Sequence, residues 1–155
     1  MLLQALLGDI NLSAGALEVA DESIAYCGHN HWLQSYIIRS NIIGCYVMDA
    51  EWYLTVVLAC GLVQEFGSLQ QGDATKLSHN GSSLSASQKI KIGLARAVYS
   101  RAPIMIFDDI ISGLDKDSAK AIVNALFSRE YGLLRALDTT VIFTARQCKL
   151  PYIYT

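Results

Sequence analysis

Two adjacent carboxylates, Asp108 and Asp109, follow an unbroken apolar run, Ile104-Met105-Ile106-Phe107. Carboxylate oxygens can hold a metal ion, and they can also aim a water molecule. In open parallel sheets ligands bind at the carboxyl ends of the strands, where such a pair would stand. The alternative is a pair of solvated loop acids capping the next element. A second constellation is Ser85 with Gln88, the spacing of a capping box, in which each side chain satisfies a backbone amide at a helix start. Ser85 and the helix N-terminus also remain as donors to an anion. His29 and His31 could ligate a metal, but no third ligand is evident beside them, and loop histidines of no special role are the simpler reading. Arg146, always charged and donating only, reads from the residues alone as a surface arginine after a strand.

Elements of definite type must position these groups. A helix is expected from Ser85 to about Ser100, on formers such as Leu94, Ala95, Arg96 and Ala97, with Pro103 closing the segment. The apolar run at 104–107 has strand length and suits a parallel strand buried on both faces. Ser112-Gly113-Leu114-Asp115 reads as a turn with Asp115 as N-cap of a helix, whose Ala119, Ile122, Val123 and Leu126 recur at helical spacing. Thr139–Thr144, with Val141, Ile142 and Phe143, is a further buried strand.

Earlier in the chain, Leu2, Leu3, Leu6 and Leu7 share one helical face and Gly8 is a plausible stop. Residues 16–19 alternate like a half-exposed strand, and 23–27 read as a second, buried one. Asp49 is a sensible N-cap for a helix that turns Trp52, Val56, Val57 and Cys60 inward and ends by Gly61. Residues 67–80 are polar and turn-rich, a surface connection.

Composition narrows the class. At 155 residues the chain is one domain or part of a larger one, and 52% hydrophobic content with mean hydropathy +0.31 is high for a free-standing soluble protein. That excess suits a piece of a larger assembly. A net charge of −2 without a basic stripe argues against nucleic acid as a partner. Cys27, Cys45, Cys60 and Cys148 are widely spaced, which disfavours a zinc site or a disulfide framework. The longest charge-free apolar run, around Val56–Val63, falls far short of the ~20 residues of a spanning helix, so no direct membrane insertion by this chain is expected. No secretory signal is expected either.

Order and spacing add a resemblance. LSASQ, ARAVYSRAPI, IMIFDD and SGLD together resemble the nucleotide-binding domain of an ABC transporter, in particular the first such domain of fungal multidrug-resistance-type (subfamily C) exporters. In turn they look like the family's signature (usually LSGGQ), its Walker B strand and its D-loop. The likeness covers nearly the whole chain. It implies an α/β fold: a partial P-loop NTPase (ABC ATPase) core with a mostly parallel sheet at 1–36 and 98–155, plus an inserted helical subdomain at 37–97. It implies ATP and Mg2+ as cofactors, transmembrane domains and a second nucleotide-binding domain as partners, and a membrane-associated place on the cytoplasmic face. By the same likeness the phosphate-binding Walker A loop would precede Leu2, and none of the eleven glycines is followed by lysine.

The resemblance also assigns roles residue by residue. Asp108 becomes the magnesium-side carboxylate, and Asp109 stands where an active site carries the water-orienting glutamate. Leu84, Ser85, Ala86, Ser87 and Gln88 would face a partner's nucleotide, with Ser112, Gly113, Leu114 and Asp115 beside it. His29 takes the place of the Q-loop glutamine that helps coordinate magnesium, within CGHNHWLQ where the family has CSQTPWLQ; neutral imidazole suits magnesium less well. Arg146 takes the place of the switch histidine. Aspartate is shorter than glutamate by one methylene, and Ala86 and Ser87 replace glycines that permit close backbone approach. Two alternative functions are therefore expected: an ATP-binding half-site of an exporter of small molecules, or a degenerate, catalytically inactive module or truncated product acting only through protein contacts. A soluble ATPase of repair or translation is disfavoured by the exporter-like CGHNHWLQ and ARAVYSRAPI stretches.

Overall fold

The computed structural model describes residues 2–10, 14–17, 23–28, 32–78 and 81–145. A short helix, Leu2–Leu6 (α1), precedes the strand Ile24–Cys27 (β1). Four helices follow, Ile38–Ile43 (α2), Ala50–Ala59 (α3), Val63–Gly67 (α4) and Ala86–Tyr99 (α5), with one 3-10 turn at Gly72–Ala74. The strand Ile104–Asp108 (β2), the helices Lys116–Phe127 (α6) and Leu133–Ala136 (α7), and the strand Thr140–Thr144 (β3) complete the described order. The three strands form a parallel sheet in the order β1-β2-β3, with Ala25 opposite Met105 and Asp108 opposite Thr144. Parallel neighbours need crossover connections, and both crossovers here carry helices. The class is mixed α/β with a parallel sheet, as expected.

The apolar run decides the centre. Met105, Ile106 and Phe107 are fully buried in β2, where two neighbouring strands satisfy the backbone. Phe127 of α6 stands edge-on between Phe107 and Phe143, with ring centroids 5.5 Å from each. The α6 residues expected inward, Ala119, Ile122, Val123 and Leu126, are all buried. β1 differs from expectation: Tyr26 is 47% exposed and Ile24 and Ala25 are half-buried. As a margin of the described sheet it has a neighbour on one side only. β3 is likewise only half-buried, from Val141 to Thr144. α1 has the expected leucines and a left-handed Gly8 after it, but buries none of its residues, and Leu2 is 74% exposed.

The helices before β2 bury apolar faces, Trp52, Val56 and Val57 of α3 and Ile90, Leu94 and Val98 of α5 among them, and are fastened further by polar side chains. Asp49 caps α3 through the Trp52 amide at 3.0 Å and pairs with Arg101, whose guanidinium lies 4.5 Å above the Trp52 ring. Arg96 of α5 donates to the Asn41 carbonyl and side-chain oxygen and to the Trp32 carbonyl, fastening the chain before β2 to residues 32–41. Burial lowers the Arg96 pKa, and the three acceptors give its guanidinium partners in place of water. α4 was not anticipated, because five residues are too few to show helical periodicity. No helix among the described residues is long and apolar enough to cross a membrane.

Candidate functional site

Asp108 ends β2, and both of its carboxylate oxygens are engaged from the flanking strands. The Thr144 hydroxyl donates to Oδ1 at 2.6 Å from β3, and the Tyr26 hydroxyl donates to Oδ2 at 3.4 Å from β1. The register explains both contacts. Thr144 is the direct partner of Asp108, whereas Tyr26 pairs with Ile106 and must reach forward along the sheet. Asp108 and its neighbour therefore belong to the sheet edge, and they are not solvated loop acids.

Asp109 leaves the strand in a left-handed conformation, φ 53°, and is only 8% exposed. A non-glycine residue there carries strain of about 1–3 kcal/mol unless its surroundings hold it. Three contacts do so. Its amide donates to the Thr144 carbonyl and hydroxyl, both at 3.1 Å, and its carboxylate accepts from the Ser112 hydroxyl at 3.1 Å. One hydroxyl, that of Thr144, thus serves both acids: it donates to the first and accepts from the second.

The start of α5 forms the second part of the site. Gln88 and Ser85 complete the expected capping box, at 3.1 Å from the Gln88 amide to the serine oxygen and 2.9 Å for the return bond. Leu84 is buried, Ser85 and Ala86 are exposed, and Ser87 is intermediate. The Gln88 side chain also donates to Glu65 of α4 at 3.0 Å, and Lys91 reaches the other Glu65 oxygen at 2.6 Å. Burial pulls the Glu65 pKa up, but the hydrogen bonds from Lys91 and Gln88 outweigh it, and the carboxyl lies below its usual range.

Residues 112–115 connect the two parts. A Cβ on Gly113 would fall 2.2 Å from Ile90 Cδ1, so glycine there lets the turn close against α5. Leu114 closes the turn onto Ile111, and Asp115 caps α6 through the Ser118 amide at 2.9 Å. That bond lowers the Asp115 pKa. Ser112 thus ties the turn to Asp109, and Gly113 packs it against Ile90 of α5. His29 and Arg146 lie outside the described residues, as do His31 and Cys148.

The donors around Asp108 and Asp109 are all oxygens: two carboxylates with the Thr144, Tyr26 and Ser112 hydroxyls. That set fits magnesium, a hard cation usually held by one or two carboxylates. A cleft of about 350 Å³ bordered by Leu58, Val63, Lys91 and Asp117 includes neither acid and is a separate feature. Thr144, Tyr26 and Glu65 were not singled out from sequence. Thr144 had a signal, since the last residue of a neighbouring parallel strand must share the sheet edge with Asp108. Glu65 had none.

No family model matches the chain. It is similar to an ABC-type transporter of Dothideomycetidae sp., 45% identical over 141 residues, which are 91% of this chain and 10% of that one. It is similar to ABC multidrug transporter B of Aspergillus fumigatus, 41% identical over 152 residues, 97% of this chain and 10% of the relative. An ATP-binding cassette transporter of Schizosaccharomyces pombe is 39% identical over 145 residues, again 92% of this chain and 10% of its own length. The chain thus spans about a tenth of the length of these relatives.

Proposed function

Because the chain is homologous to a segment of ABC-type transporters, we propose that it is part of the nucleotide-binding domain of a membrane exporter. It contributes a partial P-loop NTPase core, at 1–36 and 98–155, and an inserted helical subdomain, at 37–97. In that role it couples ATP binding and hydrolysis to export of small molecules, on the cytoplasmic face of a membrane. The observation that supports this most is the oxygen-lined carboxylate pair at the end of the central strand, Asp108 with Asp109.

Bound Mg-ATP supplies the phosphoryl group that passes to water. Asp108 serves as the cation-side carboxylate, held in one orientation by Thr144. Asp109 orients water in place of a glutamate, with a shorter reach, and a displacement of ~1 Å is enough to slow such a step by ~10²-fold. Ser85, Ala86, Ser87 and Gln88 face the nucleotide held by a second nucleotide-binding domain, and residues 112–115 lie beside it. By the resemblance, His29 takes the place of the glutamine that would help hold the cation, and Arg146 the place of the switch histidine, where it could pair with a phosphate. Transmembrane domains are the other partners.

One observation favours a second reading, a catalytically inactive module acting through protein contacts. The Ser85 hydroxyl oxygen already accepts from the Gln88 backbone amide, the Gln88 side chain is held by the Ser85 backbone amide and by Glu65, and the Asp109 carboxylate accepts from Ser112. Calorimetric titration with Mg-ATP separates the two. Micromolar binding that is lost in Asp108→Asn is expected for the first reading; no binding, or binding indifferent to Asp108→Asn, leaves the second.

A further inference from the structure

The two hydroxyls on Asp108 are unequal. The Thr144 bond is short, at 2.6 Å, and belongs to a part-buried network that includes the Asp109 amide. The Tyr26 bond is long, at 3.4 Å, and lies in solvent. At that length it is close to the limit of a hydrogen bond at all. Tyr26 is also half-exposed, so its ring can swing outward without opening the core.

Gly28 makes the arrangement possible. A Cβ on Gly28 would lie 2.1 Å from the Tyr26 hydroxyl and 2.4 Å from the ring carbon that carries it. The phenol is therefore folded back over the Gly28 backbone, in a space that any side chain would fill, and its hydroxyl reaches Asp108 Oδ2 from there. A cation bound by Asp108 needs an oxygen lone pair facing outward. Oδ1 is held by the short Thr144 bond and Oδ2 by the long Tyr26 one, so Oδ2 is the oxygen that a cation takes with less loss.

Resting on the reading of Asp108 as the cation-side carboxylate, we propose that Tyr26 is a displaceable cap on that site. Its phenol competes with a divalent cation for Asp108 Oδ2, and Gly28 is the residue that admits it. Cation binding then expels the phenol outward, while Thr144 stays in place and keeps the carboxylate aimed. Tyr26 is a positioning residue here, acting through Asp108.

Two substitutions remove the cap in different ways. Tyr26→Phe deletes the hydroxyl and keeps the ring; Gly28→Ala keeps the hydroxyl and pushes it aside. Binding of Mn2+ to the 155-residue chain, followed by the electron paramagnetic resonance signal of the free ion, is the readout. Each variant is expected to bind Mn2+ about two- to fivefold more tightly than the unaltered chain, the worth of one weak hydrogen bond. Asp108→Asn is expected to abolish the binding. Equal affinity in the unaltered chain and both variants overturns the cap and leaves the cation site standing. Tightening in Tyr26→Phe without tightening in Gly28→Ala overturns the role of Gly28. Binding that survives Asp108→Asn, or no binding in any of the chains, overturns the cation site and the cap together.

Discussion

Thr144 carries more at the residue scale than its place at the end of a strand suggests. Its hydroxyl joins the two acids, and its carbonyl separately holds the Asp109 amide. Thr144→Val keeps the shape and the carbonyl but leaves Asp108 Oδ1 without its short bond, and a hydrogen bond to a charged group is worth about 1.5–3 kcal/mol. A loss of that order is expected in urea unfolding, with Thr144→Ser recovering most of it. If Val and Ser variants unfold alike, the hydroxyl is not what holds the pair. Gly113→Ala is a second residue-scale change. The new methyl would meet Ile90 Cδ1, itself buried, so the α5–α6 turn must shift or Ile90 must leave its rotamer. A cost of about 1–3 kcal/mol is expected in the same assay.

At the scale of elements, the start of α5 is secured twice, by its own capping box and by Glu65 of α4. Ser85→Ala should cost about 1 kcal/mol, the ordinary worth of a cap. Acid should loosen the second tie. The folded pKa of Glu65 is depressed by Lys91 and Gln88 against the pull of burial, and that of Asp73 is depressed chiefly by its hydrogen bond from Arg39. A depressed carboxylate contributes stability above its unfolded pKa, and that contribution fades as pH falls through the folded value. The protection factor of the Gln88 amide, its exchange rate set against the intrinsic rate at each pH, is therefore expected to fall below about pH 4.5 in the unaltered chain. In Glu65→Gln that protection should already be low at neutral pH, with little further change on acidification. Arg101 and Arg96 hold the other ends of this helical segment, and neither would be chosen from an apolar pattern, because each acts through backbone carbonyls, a cap or an aromatic face.

For the whole molecule, the weight rests on β2 and the aromatic contact across it. Phe107 touches Phe127 of α6, which touches Phe143 of β3, so one ring system spans the sheet and its covering helix. Phe107→Ala is expected to lose about 3–5 kcal/mol in urea, a large share of the ~5–15 kcal/mol that holds an ordinary domain. The buried thiols do not share in the chemistry. Burial raises the Cys27 pKa to about 12 and pushes Cys60 still higher, which keeps both protonated and unreactive near neutral pH. Cys45 is exposed and should be the first of these three to react with a thiol reagent in the folded chain.

Much of this was legible in the residues themselves. Capping signals are local, so Ser85 with Gln88, Asp49 before Trp52, and Asp115 before α6 could be read in advance and occur as read. The continuous apolar run of β2 and the helical spacing in α6 carried their burial in the same way, because a period or an unbroken run is a property of neighbouring positions. The tertiary structure decided what touches Asp108. Strand order put Tyr26 and Thr144 on its two sides, a left-handed turn brought Asp109 back toward Thr144, and α4 brought Glu65 to α5. These contacts join residues between 23 and 82 positions apart, and no local pattern encodes such a distance. They exist only once the sheet has set its register and the helices have packed against it.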